Sequence, residues 1–482
     1  MSSNPFSTPP LSRVHSLDVS QSFDPFNDPT RPAKRMTSTA LPTNLKPYTA
    51  VAKPWTLTAS PRATFSYYLT WALLFLGASL GGLQSYLSYR NARNHLDKAP
   101  LCLVFNEDFN AGDDAGVFGN SEAGGVEGRW MREVQMDGYG NGQFEMTTAS
   151  SNNSFLKNGN LYILPTLTNG GKPFPDGTTF NSTDCTFNTT APNGGFTQEG
   201  FDYSGYFTAC SRTTNTTAGT IINPVQSARL STFLSAKNGN ASTLSQGKIR
   251  YGRIEVRAKM PTGDWLWPAI WLLPTNSTYG PWPASGEIDI VESRGNSLRY
   301  TSRGSNYVQG ALNWGPTPAL NAVGKSYSWW TSRTTPFSSA FHTYALEWTD
   351  SWIRISVDTR LHTLLDLKFD KGGFWKRGQF PATTVTADGK TVPLDDPWAG
   401  PGANVARPFD QDFYLIMNVA VGGTNGWFPD GQGDKPWVNH AGNPMQDFIN
   451  NKQQWLPTWP ENFEDRAMVV DYVRMWKHCG DP

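Results

Sequence analysis

The sequence predicts an all-β sandwich or barrel, because three features from about residue 100 onward favour strands over helices. Short apolar or alternating runs, such as RIEVRAKM, IDIVE, IRISVD and FYLIMNVAV, follow one another along the chain. Gly, Pro, Asn and Asp interrupt these runs at short intervals, which is typical of strands joined by turns. Few stretches show the 3.6-residue period of an amphipathic helix. With 13% aromatic residues, 19 of them Trp, the chain also has ample apolar material for a core.

The composition excludes several classes of protein. The 482 residues carry 40 basic and 40 acidic side chains, so the net charge is zero and no nucleic-acid partner is expected. The four cysteines show no CxxC spacing, which argues against a structural zinc site. The sequence contains no HExxH motif and no GxxxxGK[ST] phosphate loop.

Residues 1–62 differ from the rest of the chain and are predicted to be a disordered, cytosolic tail. This segment is rich in Pro, Ser and Thr and lacks apolar periodicity. It therefore cannot bury enough surface to offset the entropy of ordering. It carries seven basic and three acidic side chains.

An uncharged apolar run from Phe65 to Tyr89 predicts a transmembrane helix over residues 63–90. The run exceeds the ~20 residues that a spanning helix needs, and Tyr and Trp lie near its ends. The basic excess before it predicts a cytosolic N-terminus and a single-pass type II signal anchor. Residues after a linker at 91–100 would then face the secretory lumen, the cell exterior or the cell wall. A buried helix of a globular domain is the alternative.

Two further patterns fit a glycan-bearing, oxidising compartment. All the Asn-X-Ser/Thr sequons follow the apolar run; they lie at Asn152, Asn181, Asn188, Asn215, Asn240 and Asn276. The cysteines also follow it, and two disulfides are predicted. We favour Cys185–Cys210, which closes a local loop, and Cys102–Cys479, which joins the ends of the domain. Buried free thiols are the alternative.

Residues 101–482 are predicted to form one β domain with two large insertions. The stretch near 166–245 is rich in Gly, Asn and Thr, and the stretch near 370–410 is rich in Gly, Pro and Asp. Such composition is typical of loops rather than of separate domains.

The run GEIDIVE, residues 286–292, carries three carboxylates within an apolar strand. Side chains alternate along a strand, so Glu287 and Asp289 share one face and Glu292 points to the other. A β-bulge near Ile290–Val291 would bring Glu292 onto the same face. Two carboxyls flanking a sugar bond are the apparatus of a retaining glycosidase. A metal site and an exposed polar edge strand are the alternatives.

The run YGRIEVRAKMPTGDWLWPAIWLLP, followed by YGPWPASGEIDIVESRGN, resembles glycoside hydrolase family 16, specifically the laminarinase group with its E-x-D-x-x-E signature. Insect β-1,3-glucan recognition proteins are similar as well. Further similar segments, from FNEDFN to MVVDYVRMW, extend the resemblance over roughly residues 100–478. It implies a concanavalin-like β-jelly-roll sandwich with an open cleft and endo-acting, retaining hydrolysis of β-1,3-glucan. A fungal-type, membrane-tethered member is the expected variant.

The resemblance also implies roles for individual residues. Glu287 would be the nucleophile, Glu292 the general acid/base and Asp289 an assisting carboxylate. Substrate-binding side chains would be Trp282, Trp271, Asn141 and Arg257, with Trp267, Trp314 and Trp427 as weaker candidates. Turn chemistry is the alternative for Asn141, and a solvated strand face is the alternative for Arg257. Indole rings suit the apolar faces of a neutral glucan, although core packing is the alternative for any Trp. No cofactor is required, but a structural calcium at Asp471, with Glu107 as a second candidate, is implied; a surface ion pair is the alternative.

Three functions remain open from the sequence. The first is hydrolysis of β-1,3-glucan, of pure or mixed linkage, at the cell surface or wall. The second is glucan transglycosylation or cell-wall β-glucan assembly, in which a sugar hydroxyl replaces water. The third is a non-catalytic β-glucan sensor. Retention of all three carboxylates favours an enzyme.

Overall fold

The structure is a computed structural model, and it describes residues 60–94, 100–110, 117–118, 129–182, 184–187, 202–233, 247–370, 372–385 and 389–479. The chain divides into two compact units, Met1–Asn91 and Ala92–Pro482. The predicted disordered tail lies almost entirely outside the described residues.

The first unit contributes one long helix, α1 (Pro61–Asn94). Its segment Pro61–Arg90 is, among the described residues, the one helix that is long and apolar enough to cross a membrane. Every side chain described along this segment is exposed. The helix therefore matches the predicted span in position and composition.

The second unit is built on two large antiparallel sheets, whose strands are numbered along the chain. Sheet A has eight strands. In spatial order they are β19 (Thr359–Lys368), β18 (Trp352–Val357), β17 (His342–Trp348), β12 (Gly252–Lys259), β23 (Met468–His478), β5 (Asn160–Ile163) and β4 (Ser154–Lys157), with β1 (Leu101–Glu107) also paired to β23.

Sheet B likewise has eight strands. In spatial order they are β16 (Tyr327–Thr331), β15 (Tyr307–Asn313), β14 (Glu287–Ser293), β13 (Leu266–Pro274), β22 (Phe413–Val421), β10 (Arg229–Ser231) and β2 (Met131–Glu133), with β11 (Lys248–Ile249) also paired to β22.

Smaller elements surround the two sheets. The short strands are β3 (Glu145–Thr147), β6 (Thr166–Leu167), β7 (Thr179–Asn181), β8 (Ser211–Thr213), β9 (Val225–Ser227), β20 (Thr383–Val385) and β21 (Thr391–Pro393). The remaining α-helices are α2 (Tyr203–Cys210), α3 (Gly373–Gly378), α4 (Pro444–Asn450), α5 (Lys452–Trp455) and α6 (Phe463–Arg466). The 3-10 turns are Thr168–Gly171, Pro318–Leu320, Val323–Lys325 and Leu456–Thr458.

One hydrophobic core joins the two sheets face to face. It contains Ile254 and Val256 of β12 in sheet A, together with Ile288 of β14 and Met417 of β22 in sheet B. In β12 the buried and half-buried residues alternate strictly, as expected for a strand with one face on the core. The predicted all-β sandwich is therefore confirmed.

The prediction that the whole stretch near 166–245 is a loop insertion is wrong at its C-terminal part, because β10 (Arg229–Ser231) lies within sheet B between β22 and β2. An earlier part of the stretch contacts the chain beside β2. Thr186 and Val134, which follows β2, are joined by two hydrogen bonds: Thr186 N donates to Val134 O (3.0 Å), and Val134 N donates to Thr186 Oγ1 (2.9 Å). The disulfide Cys185–Cys210 links this segment to the end of α2. These two hydrogen bonds and the disulfide therefore hold this part of the insertion beside the end of β2.

The structure contains both predicted disulfides. Besides Cys185–Cys210, it has Cys102–Cys479, which joins β1 to the segment after β23 across 377 residues of sequence. Four of the predicted glycosylation sites are exposed, namely Asn152, Asn181, Asn215 and Asn276. Asn188 and Asn240 lie outside the described residues, and glycosylation stays a prediction.

Candidate active site

The three carboxylates of the GEIDIVE run share one face of β14 because of a β-bulge. On the neighbouring β13, Trp271 pairs with Asp289 and Ala269 pairs with Glu292, so Ile290 is the extra residue. The same shift in register occurs against β15 on the other side. Two residues on one strand thus oppose one on its partner, and the alternation resumes in phase. The predicted bulge is confirmed.

This face is the outer face of sheet B. Ile288, between the first two carboxylates, is fully buried in the sandwich core. Glu287 and Asp289 therefore point away from the core. Gly286 precedes them with φ at 83°, and a Cβ there would lie 3.0 Å from the Phe409 ring. At this position only glycine avoids both backbone strain at a positive φ and a close contact with the Phe409 ring.

Glu287 is held by two nitrogen donors. Trp282 Nε1 donates to its Oε2 at 2.8 Å, and Asn313 Nδ2 donates to its Oε1 at 2.9 Å. Burial raises the pKa of Glu287, whereas the hydrogen bonds from Trp282 and Asp289 oppose that rise. These donors favour the ionised form, which a nucleophile requires.

Asp289 is the most deeply buried of the three carboxyls. It is 3% exposed, and Asn313 Nδ2 donates to its Oδ2 at 2.8 Å. Burial, followed by the charges of Glu287 and Glu292, raises the pKa of Asp289 well above its usual range. The neutral form of Asp289 is therefore favoured, and in that form the carboxyl can donate a hydrogen bond to Glu287.

Glu292 has a different environment. Trp267 Nε1 donates to its Oε1 at 2.9 Å, and Gln309 Nε2 donates to its Oε2 at 3.1 Å. Burial, with a contribution from the charge of Glu287, raises the pKa of Glu292 to about 7. A carboxyl of this kind still carries its proton in weakly acidic solution, which suits a general acid.

Two of the predicted tryptophans border the carboxylates with accessible rings. Trp282 is 43% exposed beside Glu287. Trp271 is half-buried, shares the outer face with Asp289, and donates Nε1 to Asn418 Oδ1 at 2.8 Å. Both rings can therefore contact a ligand that lies across the carboxylates.

The Trp267 ring is mostly covered and belongs to a stack of three indoles. Trp427 lies between Trp267 and Trp329, with centroid distances of 4.9 Å and 5.7 Å. Trp427 thus packs against both neighbouring indoles, and a contact between Trp427 and substrate stays a prediction. Its packing holds the Trp267 N–H toward Glu292.

The prediction that Trp314 binds substrate is wrong. Trp314 is fully buried, donates Nε1 to Ser326 Oγ at 2.7 Å and packs edge-on against Phe374. Its neighbour Asn313 points outward to the carboxylates. Because successive side chains alternate at the end of β15, Trp314 must point into the core.

The prediction that Arg257 lines the cleft is also wrong. Arg257 lies on β12 of sheet A, and its side chain points away from the core, where it pairs with Asp471 and covers the Phe341 ring. The whole sandwich therefore separates Arg257 from Glu287. The arginine on the outer face of sheet B is Arg229 of β10, whose guanidinium lies 4.7 Å from the Trp271 ring centroid.

The Arg229 side chain is buried together with a partner acid. Arg229 Nε lies 2.6 Å from Glu133 Oε2, and the two side chains are 9% and 0% exposed. The Tyr139 ring covers the guanidinium at 4.1 Å. The sequence analysis missed this pair, because Arg229 and Glu133 are 96 residues apart and carry no motif.

Asn141 lies near the tryptophan stack, as predicted for a cleft residue. Its backbone carbonyl accepts from Thr424 N at 2.9 Å, and its Oδ1 accepts from Asn425 Nδ2 at 3.0 Å. Gly423 lies between the Asn141 carbonyl and the Trp267 ring. A contact between Asn141 and substrate stays a prediction.

Both candidate calcium ligands already have cationic partners. Asp471 is paired with Arg257, and Glu107 Oε2 lies 3.3 Å from Arg129 Nη1. In the part of the chain that the structure describes, no group of three or more His, Cys, Asp or Glu side chains is placed to hold a metal ion. A structural calcium at Asp471 or Glu107 stays a prediction.

Other cleft residues become visible only from strand pairing. On β15, Gln309 pairs with Glu292 and Asn313 pairs with Glu287. On β16, Tyr327 pairs with Ala311 and is 45% exposed on the same outer face. The alternation within the run YVQGALN was readable from the sequence, but the nearness of its polar residues to the carboxylates required the register.

Trp282→Phe is expected to raise the pKa of Glu287 and to weaken ligand binding only slightly. The Phe ring keeps an apolar surface but lacks the N–H that donates to Glu287 Oε2. Loss of one hydrogen bond to a charged group costs about 1.5–3 kcal/mol, which corresponds to a pKa change of about one unit or more. The acid limb of the pH–rate profile measures this change. If the acid limb of the pH–rate profile stayed unchanged while the ligand bound much more weakly, Trp282 would act only as an apolar platform for the ligand.

Paired carboxyls on one face of a β-sheet, beside accessible indole rings, form a site typical of a carbohydrate-active protein. The family model for glycosyl hydrolases family 16 matches residues 210–404. A beta-1,3-glucan-binding protein of Penaeus monodon is 41% identical over 384 residues, which cover 78% of this chain and 90% of that protein. The chain therefore belongs to glycosyl hydrolases family 16.

Two further matches have lower sequence identity. Glucan endo-1,3-beta-glucosidase A1 of Niallia circulans is 35% identical over 189 residues, which cover 39% of this chain and 22% of that protein. Among solved structures, the laminarinase of Rhodothermus marinus matches with a TM-score of 0.43 and 24% identity, over 79% of this chain and 99% of that one.

Proposed function

We propose that the chain is a retaining endo-β-1,3-glucanase that acts on glucan at the cell surface or in the wall. The observation that carries this proposal is the pair Glu287 and Glu292, which lie on one face of β14 and are each held by two hydrogen-bond donors. Glu287 accepts hydrogen bonds that favour its charge, and the pKa of Glu292 is about 7. Such a division of roles between two carboxyls is what a retaining glycosidase requires.

The proposed reaction proceeds in two displacements. Glu287 attacks the anomeric carbon, the glycosidic bond breaks, and the proton of Glu292 passes to the leaving oxygen. Glu292, now ionised, takes a proton from water, whose oxygen attacks the same carbon and releases Glu287. The raised pKa of Asp289 favours its neutral form, which can donate a hydrogen bond to Glu287 and thereby limit repulsion among the three acids.

The substrate class follows from the cleft surface and from the relatives. The rings of Trp282 and Trp271 offer apolar platforms for a neutral polysaccharide. Both the Penaeus monodon and the Niallia circulans proteins are named for β-1,3-glucan. A β-1,3-glucan, with or without other linkages, is therefore the proposed ligand.

Two alternatives use the same site. A sugar hydroxyl instead of water in the second displacement would make the protein a transglycosylase or wall-assembly factor. A non-catalytic sensor is favoured by the 41% identical relative from Penaeus monodon, which is named as a binding protein. The three carboxylates with their donors intact favour an enzyme over a sensor.

We further propose a type II membrane anchor with the β-sandwich outside the cytosol. The helix Pro61–Arg90 has the length and composition of a span, and the two disulfides fit an oxidising compartment. The four exposed sequons described above lie on the same side of this helix in the sequence as the sandwich.

The full chain in detergent should shorten laminarin, with a bell-shaped dependence of kcat on pH. Glu292 must be protonated for the first displacement, so activity should fall as pH rises through about 7. Glu287 must be ionised, so activity should also fall in acid. Product sizes by chromatography and a pH series of initial rates measure both effects.

The products separate the three functions. Shorter oligosaccharides mean hydrolysis, and longer ones mean transfer. Binding without any change in chain length would overturn both enzymatic proposals and leave the sensor. If activity fell only at a pH far above 7, this result would contradict the assignment of Glu292 as the general acid.

A further inference from the structure

One amide group contacts two of the three carboxyls simultaneously. Asn313 Nδ2 lies 2.9 Å from Glu287 Oε1 and 2.8 Å from Asp289 Oδ2. An amide nitrogen carries two protons, so both are used here. Asn313 thus places one N–H on the nucleophile and one on the assisting acid.

A second amide determines which way Asn313 faces. Asn321 Nδ2 donates to Asn313 Oδ1 at 2.7 Å. The orientation of Asn321 is itself determined, because its Oδ1 accepts from the backbone N–H groups of Trp314 and Val323, at 3.2 Å and 3.1 Å. Backbone nitrogens can only donate, so the oxygen of Asn321 must face them and its NH2 must face Asn313.

We propose that Asn321 is a positioning residue that, through Asn313, keeps two N–H donors directed at Glu287 and Asp289. We call this chain of hydrogen bonds, from Asn321 through Asn313 to Glu287 and Asp289, the relay. Its importance for catalysis rests on the proposed glucanase function. Asn321 itself touches neither carboxyl. It lies in the turn between Pro318–Leu320 and Val323–Lys325, so the conformation of that turn is coupled to the carboxyls on β14.

The opposite amide orientation would harm the site. It would turn Asn313 Oδ1 toward the oxygens of Glu287 and Asp289. Asn313 would then donate no hydrogen bond to either carboxyl. The charge on Glu287 would then face Asp289 and Glu292 with fewer compensating groups. The other ionisable side chains that act on Glu287 are Arg229 of β10, which favours its charge, and Tyr414 of β22. The relay therefore favours the ionised nucleophile.

The isosteric substitution Asn321→Asp tests the relay. A carboxylate at this position still accepts from the two backbone N–H groups, but it cannot donate to Asn313. At pH 7 we expect kcat on laminarin to fall about 10- to 100-fold, the effect of a lost hydrogen bond to a charged group, with KM nearly unchanged. In acid, protonation of the introduced carboxyl restores a donor, so part of the lost activity should return. A merely structural role would not produce this recovery.

A second readout does not depend on turnover. Carbodiimide coupling of glycine ethyl ester to Glu287, followed by mass spectrometry of the peptide that carries residues 287–292, reports the pH at which this carboxyl titrates. We expect this midpoint to rise by about one unit in Asn321→Asp and in Asn313→Ala. If the wild type cleaves no glucan, the proposed function fails, while the labelling midpoint still decides the relay.

The outcomes are distinct. A raised midpoint in both variants supports the proposal. A raised midpoint in Asn313→Ala together with a wild-type midpoint in Asn321→Asp overturns the role of Asn321. Should Asn321→Asp fail to fold, Asn321→Ala takes its place; it should lower kcat without recovery in acid, and wild-type rates and midpoint would overturn the proposal.

Discussion

Glu287→Gln is expected to lower kcat on laminarin by about 10³-fold or more while laminari-oligosaccharide binding persists. A carboxamide cannot attack the anomeric carbon, yet its oxygen can still accept the N–H of Asn313. The indole of Trp282 keeps its exposed ring for the ligand. Initial rates by reducing-end assay and dissociation constants by calorimetry separate the two effects.

The matched control is Glu464→Gln. Glu464 is a half-exposed acid on α6, and its contact with Lys157 at 2.9 Å is a surface ion pair remote from the cleft. This variant should retain the wild-type rate. If Glu287→Gln also cleaved laminarin at the wild-type rate, the nucleophile would have to be another residue.

Glu133→Gln is expected to destabilise the sandwich by about 3–5 kcal/mol. Glu133 is fully buried, and its carboxylate lies 2.6 Å from Arg229 Nε. The substitution keeps the shape but leaves a guanidinium charge unpaired in a site from which water is excluded. Denaturant unfolding followed by tryptophan fluorescence measures the change in the free energy of unfolding.

Two comparisons make this result specific. The exposed pair Lys157–Glu464 should contribute less than about 1 kcal/mol, so Glu464→Gln should be near neutral. The double variant Glu133→Gln/Arg229→Met removes the unpaired guanidinium charge and should be more stable than Glu133→Gln alone. If Glu133→Gln were as stable as Glu464→Gln, the buried pair would not be the stabilising contact that its geometry indicates.

The sequence was most informative where local chemistry is unusual. Three acids in one apolar strand are unfavourable unless they serve a site, and their spacing required a bulge to place Glu292 beside Asp289. The structure contains that bulge at Ile290. The apolar run at 63–90 was equally readable, because length and absence of charge are properties of the sequence itself.

The errors share one physical cause. Arg257 and Trp314 stood in segments that resemble family members, but similarity along a chain does not say which sheet a strand joins or which face a side chain occupies. β12 pairs with β17 and β23, which places Arg257 on the far side of the sandwich. Asn313 points outward to the carboxyls, so alternation directs Trp314 into the core.

The sequence by itself thus determined the fold class, the apolar helix and the strand that carries the acids, because each depends on periodicity and composition within one segment. Only the tertiary structure decided the partners of those acids. Asn321 contacts Asn313 from the turn after β15, whereas Asn313, Gln309 and Arg229 reach the site through register and sheet order. These are set by long-range pairing among segments that carry no motif of their own.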